Sequence, residues 1–353
     1  VLLAPYAVRS FTGLTAAAIG VGVVIVAAGI GNMLASWLGA RLRSWATWSP
    51  VRLLDSVGGA MFGVLSLALV AWLVASAILS APLGPVTAAV RGSTVLGGID
   101  AAVPPSARDW VAGLRTALDS SGFPAVFAGF ALDPLIPVEP PDPATLADPA
   151  VRTAIGSLVK VEGLATGCDS QVDGSGFVIS PEHVMTNAHV VAGVTSPTVL
   201  VRGVGTVLAA QVVYFDPRVD VAILDVPGLA APALSFEDSV RRGDSAVVAG
   251  FPGGGRLAST PARVRGRISA RGTDIYGRGD VVRDVYSLRA TIRPGNSGGP
   301  LLSPSGRVEG VVFAASVTDK QTGYALTARQ VSTAVAAGRS ATAPVGTGSC
   351  ETR

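Results

Sequence analysis

The chain has 353 residues, a length typical of about two domains. Charged residues make up 14% of it and apolar residues 49%, whereas an ordinary soluble domain is about 25% charged. With a net charge of only +3 and a mean hydropathy of +0.51, this composition excludes a disordered or nucleic-acid-coating protein and favours membrane association. Two cysteines are too few for a disulfide-stapled fold or a structural zinc site, and no metal or organic cofactor is expected.

The apolar excess lies in the N-terminal third. Positions 1–100 hold seven charged residues, and two stretches, 12–40 and 56–83, hold none. Each stretch exceeds the roughly 20 residues that cross a bilayer, so the sequence predicts two transmembrane helices in a membrane domain, residues 1–83. Gly59 and Gly63 form a small-xxx-small pair suited to close helix packing. A buried core helix or a signal peptide is the weaker alternative.

The arginines set the expected membrane topology. The loop 41–55 holds three of them, whereas Arg9 and Arg91 stand alone on the outer flanks. The positive-inside rule therefore places this loop in the cytoplasm and everything after the second span outside it. The chain begins at Val1 within apolar sequence, which leaves room for further spans upstream.

Residues 84–149 connect the membrane domain to the rest of the chain. Positions 104–122 predict a short amphipathic helix. Residues 134–149 contain six prolines in sixteen positions, which predicts a stiff, extended and exposed spacer. Proteases cleave such segments readily, so we expect self-cleavage in or near it, at Thr145–Asp148 or just after Pro149.

From residue 150 onward, short alternating apolar runs separated by Gly-rich turns predict an antiparallel all-β domain over 150–353. The chain has two histidines in this region. His189, in the run TNAHVV, has an apolar context that is also typical of a buried core histidine. His183 follows Pro181 and Glu182 in a predicted turn, where a solvated side chain is expected.

A serine and an aspartate complete a candidate catalytic set. Ser297 lies in PGNSGGP, where glycines would let the amides of Gly295 and Ser297 converge on one point as an oxyanion hole. A glycine-rich hairpin turn is the alternative. Asp220 begins the apolar run DVAIL and could fix the tautomer of a histidine, with Asp216 and Asp225 as competitors.

In the order TNAHVV, DVAIL and PGNSGGPL, these motifs resemble the trypsin-like serine proteases of the HtrA/DegP branch over about residues 155–338. The resemblance implies a chymotrypsin-like fold of two β-barrels, about six strands each, joined near 228–243, with the site between them. It implies that His189 is the general base, Asp220 its orienting partner and Ser297 the nucleophile, with Gly295 and Ser297 as oxyanion hole.

The resemblance also implies a substrate pocket and a C-terminal helix. The strand 310–316 is expected to line the primary pocket, which holds no carboxylate and so favours small-to-medium apolar side chains. The segment 323–331 matches the last strand and the helix after it, with Thr327 and Gln330 as a capping box. Asn296 precedes the serine at the position where digestive trypsins have an Asp, so zymogen-type activation is not expected. A PDZ domain is not expected either. The expected pocket residues are Thr291, Phe313, Ala314 and Ala315.

The glycine-rich membrane domain is similar to the colicin V production (CvpA) family. This combination implies a membrane-anchored periplasmic serine endopeptidase that cleaves envelope proteins and itself and supports resistance to acid and oxidative stress. Its expected partners are protein substrates and the lipid bilayer, not nucleic acid. One alternative is a transporter or channel-like protein whose protease-fold domain is a non-catalytic sensor; another is a protease restricted to self-processing.

The two cysteines are expected to pair with each other. Cys168 and Cys350 both fall on the extracytoplasmic side by the topology argument, where disulfides persist. The C-terminal tail could return across the first barrel and bring them together. Two free thiols, one of them a redox sensor, remain the alternative.

Overall fold

The computed structural model describes residues 136–165, 170–316 and 319–350, together with 93–103 and scattered positions between 33 and 90. The chain forms two compact units. One comprises residues 1–120 and 129–132, and the other comprises residues 121–128 and 133–353.

The N-terminal unit is described in part. Residues 61, 63–72, 74 and 75, within the second predicted span, are helical, and helix α1 covers Thr94–Ala102. Trp72 and Ala75 are buried in an apolar cluster with Leu96 and Ile99. Within the positions described, no helix has the length and hydropathy of a membrane span. Nearly all of the first predicted span, half of the second, nearly all of the 41–55 loop and the predicted helix 104–122 lie outside the described residues.

The C-terminal unit begins with a seven-stranded antiparallel sheet in the order β5-β4-β1-β2-β3-β7-β6. Val, Leu and Ala side chains of these strands form an apolar core on one face of the sheet, and alternate residues such as Phe177 and Ile223 pack into a second apolar cluster. The strands are β1 Leu158–Ala165, β2 Ser170–Ser180, β3 His183–Thr186, β4 Thr198–Val201, β5 Leu208–Ala209, β6 Gln211–Asp216 and β7 Val221–Asp225.

A closed six-stranded barrel follows, in the order β10-β13-β12-β11-β8-β9. Its strands are β8 Ser245–Gly250, β9 Ala258–Gly272, β10 Val281–Arg289, β11 Pro300–Leu302, β12 Val308–Ala315 and β13 Thr322–Thr327. The helices of this unit are α2 Pro149–Ile155, α3 Ala188–Val191 and α4 Ala328–Gly338, with short 3₁₀ turns at Pro143–Ala147 and Pro252–Gly254.

The all-β architecture and the six strands of the second barrel are as predicted, and residues 226–244 connect the two halves where the sequence placed that connection. The first half differs from the prediction because it has seven strands. The additional strand, β5, is only two residues long, which is too short to show an alternating pattern in the sequence.

The proline-rich segment is hydrogen-bonded to the second barrel and continues into a 3₁₀ turn, so the expectation of a free spacer without secondary structure is wrong, although most of its residues are exposed. We call residues 136–142 the strap. Its carbonyl oxygens accept hydrogen bonds from four arginine side chains: Ile136 from Arg265 at 2.8 Å, Pro137 from Arg242 at 2.7 Å, Val138 from Arg289 at 2.8 Å and Pro140 from Arg263 at 3.1 Å. Asp142 then caps the 3₁₀ turn that buries Thr145.

Two side chains differ from their predicted environments. His183 is buried, not solvated, because its ring nitrogens lie 2.8 Å from the carbonyl oxygen of Pro181 and 2.9 Å from that of Ala341, beyond α4. Thr327 caps α4 by accepting a hydrogen bond from the Gln330 amide at 3.0 Å. The Gln330 side chain, however, accepts from the amide of Asp284 on β10, so only half of the predicted capping box forms.

Candidate active site

His189 and Asp220 form a buried pair in the first half of the C-terminal unit. His189 lies in α3, one short turn after β3, and Asp220 directly precedes β7. The Asp220 carboxylate accepts from the His189 backbone amide at 2.9 Å and lies 2.8 Å from Nδ1 of the ring. With its proton held on Nδ1, the imidazole presents Nε2 as a proton acceptor, which is the arrangement a general base requires.

Asp220 has an unusual backbone conformation. Its φ of 74° lies in the left-handed region, which costs an L-residue other than glycine roughly 1–2 kcal/mol. Two hydrogen bonds hold it there, from its amide to the Asp216 carbonyl at 2.9 Å and from the Asn187 side chain to its own carbonyl at 2.7 Å. The strained conformation directs the carboxylate at His189.

The two competing aspartates do not reach His189. The Asp216 side chain caps its own turn by accepting from the amides of Arg218 and Val219. Asp225 is buried and accepts a hydrogen bond from the Gln211 side chain at 3.0 Å. Of the three candidates, the structure therefore brings only Asp220 to the histidine.

The turn that carries Ser297 is tied to the first sheet by Ser175 of β2. The Ser175 hydroxyl donates to the Gly295 carbonyl at 2.6 Å and accepts from the Phe251 amide at 2.9 Å, while its amide donates to the Ser297 carbonyl at 2.8 Å. A Cβ on Gly298 would overlap the Ser175 carbonyl and the Thr186 side chain, so the serine turn lies against the residues just before His189.

The backbone of the serine turn leaves two amides without a hydrogen-bond partner among the described residues. The Pro294 carbonyl accepts from Gly253 at 2.7 Å, and across a trans peptide the Gly295 N–H then points the opposite way. Asn296 closes the turn, since its amide donates to the Arg293 carbonyl and its side-chain oxygen accepts from the Arg293 amide. Among the described residues, the amides of Gly295 and Ser297 have no hydrogen-bond partner, so both are available to an oxyanion.

Ser297 is 2% exposed, and its Oγ makes no hydrogen bond within the described part of the chain. Hydrogen bonds between a nucleophile and its base often form fully only when substrate is bound.

Both the N-terminal and the C-terminal parts of the chain match known protein families. Residues 174–311 match the trypsin-like peptidase domain family, and residues 1–104 match the Colicin V production protein family. The chain is 45% identical over 304 residues to the serine protease Rv3671c (MarP) of Mycobacterium tuberculosis strain H37Rv, which covers 85% of this chain and 76% of that protein. The chain belongs to this family of trypsin-like serine proteases.

Solved structures of the family agree with this assignment. The active form of the Rv3671c protease matches with a TM-score of 0.60 and 48% identity over 64% of this chain and 100% of that chain. An inactive form matches with a TM-score of 0.52 and 47% identity over 57% and 99%. A probable periplasmic DegP-like endoprotease of Brucella suis is 40% identical over 146 residues, 39% of this chain and 26% of that protein. The predicted resemblance to HtrA/DegP proteases and to the CvpA family is confirmed.

The expected pocket residues of this protease have different environments. Phe313 and Ala314 are fully buried in the apolar core, whereas Ala315 is partly exposed and Thr291 is exposed. The centroid of the Phe313 ring lies 6.0 Å from the guanidinium carbon of Arg283. Three supporting residues were missed from the sequence: Ser175, Asn187 and Arg283. Within the described residues no cluster of His, Cys, Asp or Glu could hold a metal ion.

Proposed function

We propose that this protein is a membrane-anchored extracytoplasmic serine endopeptidase with a triad of His189, Asp220 and Ser297. The observation that supports this most directly is the buried His189–Asp220 pair, together with two unpaired amides on the serine turn. The Colicin V production domain would hold the enzyme in the plasma membrane, with two or more spans, and the protease domain from about residue 150 would lie on the periplasmic side.

In the proposed reaction Ser297 Oγ attacks the substrate carbonyl while His189 Nε2 accepts its proton. The amides of Gly295 and Ser297 then stabilise the oxyanion, and His189 passes the proton to the leaving amine. Water hydrolyses the acyl-enzyme by the same route. Activity should fall in acid, because a protonated imidazole cannot accept the serine proton.

The proposed substrates are proteins of the cell envelope and the enzyme's own chain. The strand 310–316 and Thr291 would border a pocket without a carboxylate, so we expect small-to-medium apolar side chains before the scissile bond. The family resemblance extends the proposal to a role in resistance to acid and oxidative stress. Peptide-library profiling tests the pocket, and a strong preference for Arg or Glu before the cleaved bond would contradict it.

Fluorophosphonate labelling of the full chain, mapped to its residue, tests the proposed nucleophile. We expect a label on Ser297 in the native protein and none in Ser297→Ala, with peptide hydrolysis reduced well over a hundredfold because the nucleophile is removed. Ser305→Ala, an exposed serine in the turn after β11, is the matched control and should label normally. Unchanged turnover in Ser297→Ala, or absence of any label in native folded protein, would favour a non-catalytic sensor domain instead.

A further inference from the structure

Arg283 is a buried cation that the catalytic arrangement above does not use. It lies on β10 of the second barrel, is 1% exposed, and forms no ion pair within hydrogen-bond distance among the described residues. Its Nε donates to the Val219 carbonyl at 3.2 Å and its Nη2 to the Thr273 carbonyl at 2.7 Å. Nη1 has no partner in the described structure. Burial of an arginine with an unsatisfied donor is costly and calls for a compensating role.

The hydrogen bond from Arg283 Nε holds Val219, the residue next to Asp220. Asp220 sits in a left-handed conformation, and its orientation depends on the loop 216–220 being held on both sides. Asn187 of the first sheet holds the carbonyl of Asp220. Arg283 binds the carbonyl of Val219, which is the other peptide flanking the Asp220 Cα, and it does so from the second barrel.

A second contact fixes the same loop from the same barrel. The Ile275 amide donates to the Pro217 carbonyl at 3.1 Å, and the Ile275 side chain is buried against Ala188 and Ala192, on either side of the His189 turn. Arg283 anchors the start of this segment through Thr273. Arg283 therefore supports Asp220 directly and the surroundings of His189 indirectly.

The positive charge of Arg283 also interacts with the Asp220 carboxylate. Burial lowers the pKa of its guanidinium, and attraction to the Asp220 carboxylate is the largest influence that opposes this. Asp274 and Asp216 also favour the charged form, and Arg218 disfavours it. An arginine remains charged under such burial where a lysine could lose its proton.

We propose that Arg283 is a positioning residue of the triad, which holds the Val219–Asp220 peptide from the second barrel and places a buried cation near the Asp220 carboxylate. This rests on the proposed serine-protease function. The mechanism joins the two halves of the domain, because the histidine and aspartate come from the first half while Arg283 and Ser297 come from the second.

The test compares the native protein with Arg283→Met, which removes charge and donors, and with Arg283→Lys, which keeps a basic amine but removes the planar fork. In the full chain we expect both to lower kcat/KM for a peptide and the rate of fluorophosphonate labelling by between about tenfold and a hundredfold, mainly through kcat, because the aspartate is misplaced. The acid limb of the kcat/KM profile should lie at higher pH in Arg283→Met than in the native protein, because Arg283→Met lacks the cation that disfavours imidazolium.

Arg265→Met is the matched control, since Arg265 is also a buried arginine that binds a carbonyl, on neighbouring β9, but toward the strap. It should destabilise the protein without moving the acid limb. If Arg283→Met does not fold, as judged by thermal unfolding, Arg283→Lys decides alone by its loss of kcat. Wild-type kcat/KM in a folded Arg283 variant would overturn the proposal, as would an acid limb in folded Arg283→Met equal to that of the native protein. A fully active Ser297→Ala would instead overturn the function on which it rests.

Discussion

Gly295 combines two constraints that no other residue can meet at its position. Its φ is 88°, and an added Cβ would overlap the Phe251 carbonyl and approach the Gly253 amide at 2.9 Å. Gly295→Ala should therefore displace the peptide that presents the oxyanion-hole amide and lower kcat by about 10²–10³-fold. Steady-state kinetics on a peptide substrate measures this.

Gly243 provides the control for backbone strain alone. Its φ is 90°, but a Cβ there would meet nothing within 4 Å. Gly243→Ala should lose stability by roughly 1–2 kcal/mol, as any residue forced into the left-handed region does, and retain its kcat. Equal kcat losses in the two variants would mean that Gly295 matters for stability and not for the oxyanion.

Glu309 should make the stability of the protein fall as the pH rises. It is 4% exposed, its Oε2 has no partner among the described residues, and burial followed by repulsion from Glu237 and Asp244 raises its pKa to about 8. Between the ordinary glutamate value and pH 8 the unfolded chain loses this proton while the folded chain keeps it. Stability therefore falls as pH rises through this window, by up to about 1.4 kcal/mol per pH unit.

Glu309→Gln should remove that dependence. Its melting temperature should exceed that of the native protein at pH 8 and approach it near pH 5, because the amide has no proton to lose. Thermal unfolding between pH 5 and 9 measures the difference, with Glu139→Gln, an exposed side chain of the strap, as control. Parallel curves for native protein and Glu309→Gln across the whole range would contradict the assignment.

The residues that could be predicted from sequence are those with a motif around them. His189, Asp220 and Ser297 each stand in a short run whose residue types have a chemical reason. Ser175 and Arg283 have none, because their roles depend on contacts more than 60 positions away in the chain. An arginine on a β-strand reads as a solvated side chain, and only the fold shows that Arg283 points inward.

Among the structural elements, the strap is another feature whose contacts could not be predicted from the sequence. Its prolines predict an extended backbone, but proline also removes amide donors and leaves carbonyls that need partners. Those partners are arginines of β9, β10 and the connection before β8, more than 100 residues later in the chain. Strand patterns could be predicted because they are local. The docking of the strap on the barrel could not be predicted, because each hydrogen bond joins two segments that show no distinguishing pattern in the sequence.

The docked strap changes where self-cleavage is expected. Thr145 is buried in a 3₁₀ turn and Pro149 begins α2, so the bonds first considered are not extended. A protease binds its substrate in extended form, so the released fragment should begin before Ile136. Intact-mass analysis of incubated full chain gives that N-terminus, and Ser297→Ala should yield no fragment.

Loosening the strap should expose the protected bonds. In the double variant Arg263→Ala/Arg289→Ala, which removes two of its four anchors, additional cuts should appear within 136–149. A native fragment that begins after Pro149, at the same rate in native and double-variant protein, would show that the strap gives no protection.

At the scale of the whole C-terminal unit, the tail after α4 returns across the first sheet. The Val345 amide donates to the Val212 carbonyl at 2.8 Å, and Thr347 binds Gly193 and Val194 through its carbonyl and hydroxyl. Cys350 packs against the buried Ala165, Val172 and Val194 and is disulfide-bonded. Cys168 is the other cysteine of the chain, and it lies outside the described residues, so we propose it as the partner.

Such a bond would close a loop of about 180 residues that contains the whole triad. In the chain-entropy model a loop of this length adds roughly 5 kcal/mol, with strain reducing the gain. Reduction should therefore lower the melting temperature and make residues 339–353 accessible to an added protease, because the tail is then held by noncovalent contacts alone. Melting curves and limited proteolysis with and without reductant measure both effects.

The double variant Cys168→Ser/Cys350→Ser should behave like reduced protein and should not change when reductant is added. Alkylation of both thiols in native protein that has never been reduced would exclude the bond.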